Sequence, residues 1–260
     1  RLRPVVVLIA TAADRLVFHA PVASFRAVNL LFAGLLGLLL AGLARHFGAS
    51  RAATAVLVVN LGLCIATAKM FSFYPTLVDL GAYVFMTAGT WAIVTGRRAL
   101  IVLFGILAVL SREFAAVLVL FGLVRELRQR RSPLLVAATY APMVAAIVWV
   151  RSFAGQETRA LGAMSLLSSF RGNLALWQDP QYAGFWIYFA ATLFGGVSLV
   201  VLTSPRAWAR CLRRGPQGLA LVLPIVAVTA VGYTDMWRYL VYVLPAVPAL
   251  WVWAVSDLPP

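Results

Sequence analysis

Charged residues are scarce in this chain, and acids are scarcer still. They make up 12% of its 260 residues, with eight Asp and Glu against 22 Lys and Arg. So few charges cannot cover the surface of a water-soluble domain. With 63% hydrophobic residues and a mean hydropathy of +0.93, the composition is that of an integral membrane protein. Also missing is the apolar and polar alternation that a membrane barrel needs on its two faces, which excludes strands as the spanning elements. A Gly-Lys phosphate loop, a dinucleotide fingerprint and a nucleophile elbow are absent as well, which sets those chemistries aside.

What is present is a series of charge-free runs of helical length: Ala27 to Ala44, Ala52 to Ala68, Leu80 to Thr95, Pro133 to Val150, Tyr182 to Thr203, Pro216 to Thr234 and Tyr239 to Ser256. Two shorter apolar pieces, Ala99 to Leu110 and Phe114 to Val124, flank Arg112 and Glu113. Each falls well short of the roughly 20 residues needed to cross a bilayer unaided. The expected fold is therefore all-α, a polytopic helix bundle of about nine membrane helices forming a single domain over residues 1–260. Within it, residues 1–25 read as a surface helix and connection, 26–150 as the first helices with a broken pair at 99–124, 151–181 as an external loop, and 182–260 as the last three helices. In the first segment Val5, Ile9, Ala12, Leu16 and His19, with Arg15, outline an amphipathic helix on the outer surface.

The net charge of +14 suggests nucleic acid until its distribution is followed. Segments Arg45 to Arg51, Gly96 to Arg98, Arg125 to Arg131 and Ser204 to Arg214 hold twelve Arg and one acid, Glu126. The intervening loops mix both signs. The positive-inside rule makes the Arg-rich set cytoplasmic, so the charge marks membrane topology and not a nucleic-acid partner. That topology puts His19 and His46 on opposite sides, which excludes a shared metal, and separates Cys64 from Cys211.

The same alternation gathers Asp14, Arg15, His19, Lys69, Tyr74, Asp79, Arg112, Glu113, Asp235 and Arg238 at the outer face. An ion pair between two short apolar pieces is expensive to keep in a membrane, so Arg112 and Glu113 are the leading functional candidates. Cations at a lipid-accessible cavity suit a phosphate, and Arg favours bidentate contact with it. Structural pairing of Arg112 with Glu113, or of Asp235 with Arg238 on one helix, is the competing explanation.

The order of these elements resembles the GT-C class of membrane glycosyltransferases that use polyprenyl-phosphate-linked sugars, in their bacterial, mannosyltransferase-like form. The residues that carry the likeness are Tyr74-Pro75-Thr76-Leu77-Val78-Asp79 leading into a helix, Ser111-Arg112-Glu113 between two short helices, and Asp235-Met236-Trp237-Arg238-Tyr239 before a last helix containing Pro245. The resemblance implies transfer of a sugar from a polyprenyl-phosphate donor to a glycan, lipid or protein acceptor on the outer side of the membrane. Arg112, Arg238 and Lys69 are then expected at the donor phosphate, and Asp79, Glu113, Asp235 and Tyr74 in binding or orienting the sugar. Glu113 and Asp79 could also help hold a divalent ion, Mg or Mn. A transporter or lipid flippase would line a path with the same charges, and a scaffold subunit would leave them without a common ligand.

The catalytic acid of such enzymes usually sits in a first external loop, ahead of the surface helix. This chain starts at Arg1-Leu2-Arg3-Pro4, so the catalytic base is expected upstream of Arg1, with Asp14 off the family's position. Activity should then depend on that upstream acid, because a positioned carboxylate contributes about 10² to 10⁴ in rate. Sugar release from polyprenyl-phosphate donors, measured with and without the native upstream region, checks this; equal turnover would move the base to Asp14, Asp79, Glu113 or Asp235.

Overall fold

The computed structural model describes residues 4–63, 79–112, 117–152, 171–172, 204–213 and 247–255, with single positions at 180, 197 and 200. All regular structure among them is helical, with no strand. The α-helices are α1 (Pro4–Ala13), α2 (Pro21–His46), α3 (Arg51–Leu63), α4 (Asp79–Thr95), α5 (Arg98–Ser111), α6 (Val117–Arg128), α7 (Pro133–Ser152), α8 (Pro205–Arg213) and α9 (Val247–Val255), and a π-helical turn (Asp14–Phe18) continues α1. Two stretches are long and apolar enough to cross a membrane, Pro21–His46 and Pro133–Val150, while Arg51–Asn60, Leu80–Thr95 and Arg98–Ser111 are shorter apolar helices.

Local chemistry sets the helix ends. Proline opens α2, α7 and α8, where its fixed φ suits the first turn and its missing N–H is no loss. Beyond α2, Gly48 takes φ +97° and the Ala49 N–H returns to the Ala44 carbonyl at 2.9 Å, which satisfies a carbonyl that the helix leaves open. Arg45 adds a bond from Nη1 to the Ala49 carbonyl. Ser50 then caps α3, its hydroxyl accepting the Ala53 N–H at 3.1 Å.

Close contacts fix the register. Gly81 of α4 lies against Phe32 of α2, and Gly42 of α2 against Trp91 of α4, so these two helices run parallel. Helix α5 returns antiparallel to α4 after a turn at Gly96, whose φ is +75°. Helix α6 comes back beside α4, with Gly89 near Leu118 and Gly96 near the Arg125 guanidinium. Helix α7 packs across both, Met143 over Gly105 of α5 and Tyr140 over Gly122 of α6. Glycine recurs at these crossings because a missing Cβ lets backbones approach, the way apolar helices associate when lipid removes the hydrophobic drive between them.

The amino-terminal helix packs against the helices that follow it. Helix α1 carries no charge and folds back along α2: Asp14 Oδ1 is 3.2 Å from the Ser24 hydroxyl, and Val6 reaches Gly81 beside Phe32. Its buried residues are Val6 and Ala10, while Ile9, Ala12, Leu16 and His19 of the expected stripe are exposed. Helix α1 turns Val6 and Ala10 toward α2, α5 and Gly81 of α4, which leaves the expected stripe on the side away from the bundle. Other boundaries shift as well: α2 starts at Pro21, and α6 continues through Arg128 into the segment read as a loop.

Large apolar side chains on the two longest described helices remain uncovered, Leu30 and Leu38 on α2 and Leu134 and Val148 on α7. The tight crossings should be the sensitive ones. A Cβ at Gly42 would collide with the rigid Trp91 ring, whereas at Gly105 it meets the flexible end of Met143. Gly42→Ala should therefore cost about 1 to 3 kcal/mol, in the range of overpacked cores, and Gly105→Ala less. Thermal unfolding of the two purified variants in detergent checks the order.

Candidate functional site

Helix α5 ends in an apolar setting with its last polar groups turned inward. Ser111 is fully buried and its hydroxyl donates to the Leu107 carbonyl at 2.8 Å. The Arg112 N–H still bonds the Ala108 carbonyl at 2.8 Å, but its backbone has left the helix, at φ −157° and ψ 126°. The next described helix starts at Val117. Arg112 is only 7% exposed, an uncommon setting for a side chain that keeps its charge when buried.

Its depth follows from the register. Counting along the antiparallel pair from the contact of Gly89 with Phe104 puts Arg112 about level with Gly81, which touches both Phe32 and Val6. Phe32 stands six residues beyond the exposed Arg26 on α2, about 9 Å along the axis at 1.5 Å per residue. Arg112 is thus recessed below the end of α2 that carries Arg26, with Asp14, Arg15 and His19 nearer that end.

The Arg-rich segments lie at the opposite end. Arg125 sits beside Gly96, so both ends of the α5–α6 pair return to one place; a continuous helix would hold Arg98 and Arg125 about 40 Å apart. The loop after α2 joins them there, since α2 and α4 run parallel. Phe47 meets Trp253 of α9 edge-on at 6.1 Å, Trp251 Nε1 donates to the Ala53 carbonyl at 2.8 Å, and α8 packs against α9.

Of the candidate residues, Arg112 is described in full and Asp79 by its backbone alone, as the first residue of α4. Lys69, Tyr74, Glu113, Asp235 and Arg238 lie outside the described residues. Among the described residues no three His, Cys, Asp or Glu come together as a metal site; the acids named for a divalent ion have no described side chains.

Of the buried polar residues that escaped the sequence reading, Thr87 and Glu126 stand out. Thr87 on α4 is fully buried, and its hydroxyl has no hydrogen-bond partner among the described residues. Asp79, Tyr83 and Thr87 follow one another at four-residue spacing, which places them on one side of α4. That spacing was the available signal. Glu126, counted as a loop acid, is 3% exposed, with Oε1 3.8 Å from Arg125 Nη1. Its signal was its solitude among twelve arginines.

Comparison with protein-family models, with curated proteins and with solved structures returns no match to this chain.

Replacing a buried hydroxyl that has no partner by a methyl group of the same shape removes a desolvated polar atom and little else. Thr87→Val should hold or raise the unfolding temperature in detergent; a loss above about 1 kcal/mol would show that the hydroxyl bonds a partner in the folded chain.

Proposed function

We propose that this chain serves a membrane glycosyltransferase that takes its sugar from a polyprenyl-phosphate donor. Arg112 meets the donor phosphate on the side of a bacterial plasma membrane away from the Arg-rich loops. The observation that carries this reading is a buried arginine in extended backbone where α5 ends, recessed in an apolar bundle and remote from the other arginine clusters. The uncovered leucines of α2 and α7 support a lipid surround, and the order of the Tyr74 to Asp79, Ser111 to Glu113 and Asp235 to Tyr239 motifs supports the class.

The chemistry asks for what an arginine supplies. An acceptor hydroxyl attacks the anomeric carbon, a base takes its proton, and the bond from that carbon to the phosphate oxygen breaks with the electron pair leaving on the polyprenyl phosphate. Charge grows on that oxygen in the transition state. A cation already fixed in low-dielectric surroundings stabilises it without reorganising at the moment of reaction. Arg112 has this role, with Arg238 and Lys69 as further phosphate contacts. Asp79, Glu113, Asp235 and Tyr74 bind sugar hydroxyls or orient the cations, and Glu113 and Asp79 are the residues that would hold Mg or Mn.

Arg112→Met removes the charge while keeping much of the side-chain length. In protein competent for transfer it should lower sugar release from a polyprenyl-phosphate donor by about 10² to 10³, the usual loss for one transition-state contact, with unfolding temperature close to wild type. Undiminished transfer by folded Arg112→Met protein would return the residue to a structural role. Passage of the intact donor across the membrane without sugar release would make the protein a transporter.

A further inference from the structure

The Arg-rich end contains a surface that sugar transfer does not use. Helix α8 (Pro205–Arg213) has no acid and places Arg206, Arg210 and Arg213 at positions i, i+4 and i+7, which brings all three to one narrow side of the helix. Its other side is anchored: Ala207 is fully buried against the bundle, Trp208 is half-buried, and α8 packs on α9. Ser204 caps the first turn by accepting the Ala207 N–H at 3.2 Å, and Arg210 reaches the Trp253 carbonyl at 3.4 Å. Arg206 and Arg213 are exposed.

We propose that α8 is an interfacial helix whose arginine stripe binds the phosphates of anionic phospholipids in the leaflet bordering the Arg-rich end. Charge complementarity argues for this occupant. Arg45, Arg51, Arg97, Arg98 and Arg125 stand at the same end, against a single described acid, Glu126, that is buried beside Arg125. The summed field at that surface is positive, and each arginine near an anionic leaflet strengthens binding roughly fivefold at low salt. An amphipathic helix with a tryptophan at its apolar border and cations on its outer side fits the headgroup boundary. The site is independent of the sugar donor, because it lies at the far end of α5 from Arg112.

The test places the full chain in nanodiscs of phosphatidylcholine containing a minor share of phosphatidylglycerol and measures retained lipids by native mass spectrometry. Wild-type protein should retain phosphatidylglycerol preferentially, and the preference should collapse as salt is raised. The double variant Arg206→Gln, Arg213→Gln should lose about 25-fold of that preference, while Arg206→Lys, Arg213→Lys keeps most of it. A charge-matched control at the other end, Arg15→Gln with Arg26→Gln, should leave it unchanged. An undiminished preference in the folded Gln variant, as expected if the stripe served a soluble protein partner, would overturn the proposal. So would an equal loss in the control. Should the Gln variant not fold, a salt-insensitive preference in the wild-type protein would overturn it as well.

Discussion

The end of α5 at Arg112 is the feature on which the arrangement turns. Arg98 and Arg125 flank a stretch that would be about 40 Å long as one helix, yet Arg125 rests beside Gly96. The α5–α6 pair therefore goes out and comes back. That return brings the arginines after α4 to the same end as those at the close of α6, and it leaves Arg112 with Ser111 at the far side of the excursion. A straight helix would have divided the arginines between the two ends and left Arg112 midway along a span.

Close approach of the helices makes the excursion stable. Gly42, Gly81, Gly105 and Gly122 each stand where a neighbouring side chain occupies the space a Cβ would need. Two of those neighbours, Met143 and Tyr140, come from α7, so one helix braces both arms of the α5–α6 pair. In apolar surroundings association rests on such contacts and on polar groups satisfied within the protein. The Ser111, Thr90 and Thr139 hydroxyls return to carbonyls of their own helices, as this requires. Among the described residues the Thr87 and Tyr140 hydroxyls do not, and Thr87 shares a side of α4 with Tyr83.

Polarity is thus divided between two ends with different character. One end carries many exposed arginines, where water and headgroups can solvate them. The other has fewer charges: Arg15 and Arg26 are exposed at its edge, and Arg112 is buried below them. A solvated cluster acts through its summed field; a buried cation acts through a fixed position. The first suits a surface of anionic lipids and the second a single phosphate.

The amino-acid sequence by itself determined the helical class, because apolar runs without alternation can satisfy their backbone only as helices. It also marked the polar interruption at Arg112, because charges inside an apolar stretch are visible without any structure. Tertiary structure alone decided which side of α1 is buried: Val5, Ile9, Ala12 and Leu16 form as good an apolar stripe as Val6 and Ala10, and only contact with α2, α4 and α5 chooses between them. It likewise decided that Glu126 is buried and that Thr87 has no local carbonyl partner. Periodicity records where side chains fall around one helix, whereas burial depends on which neighbours arrive, and those neighbours come from distant parts of the chain.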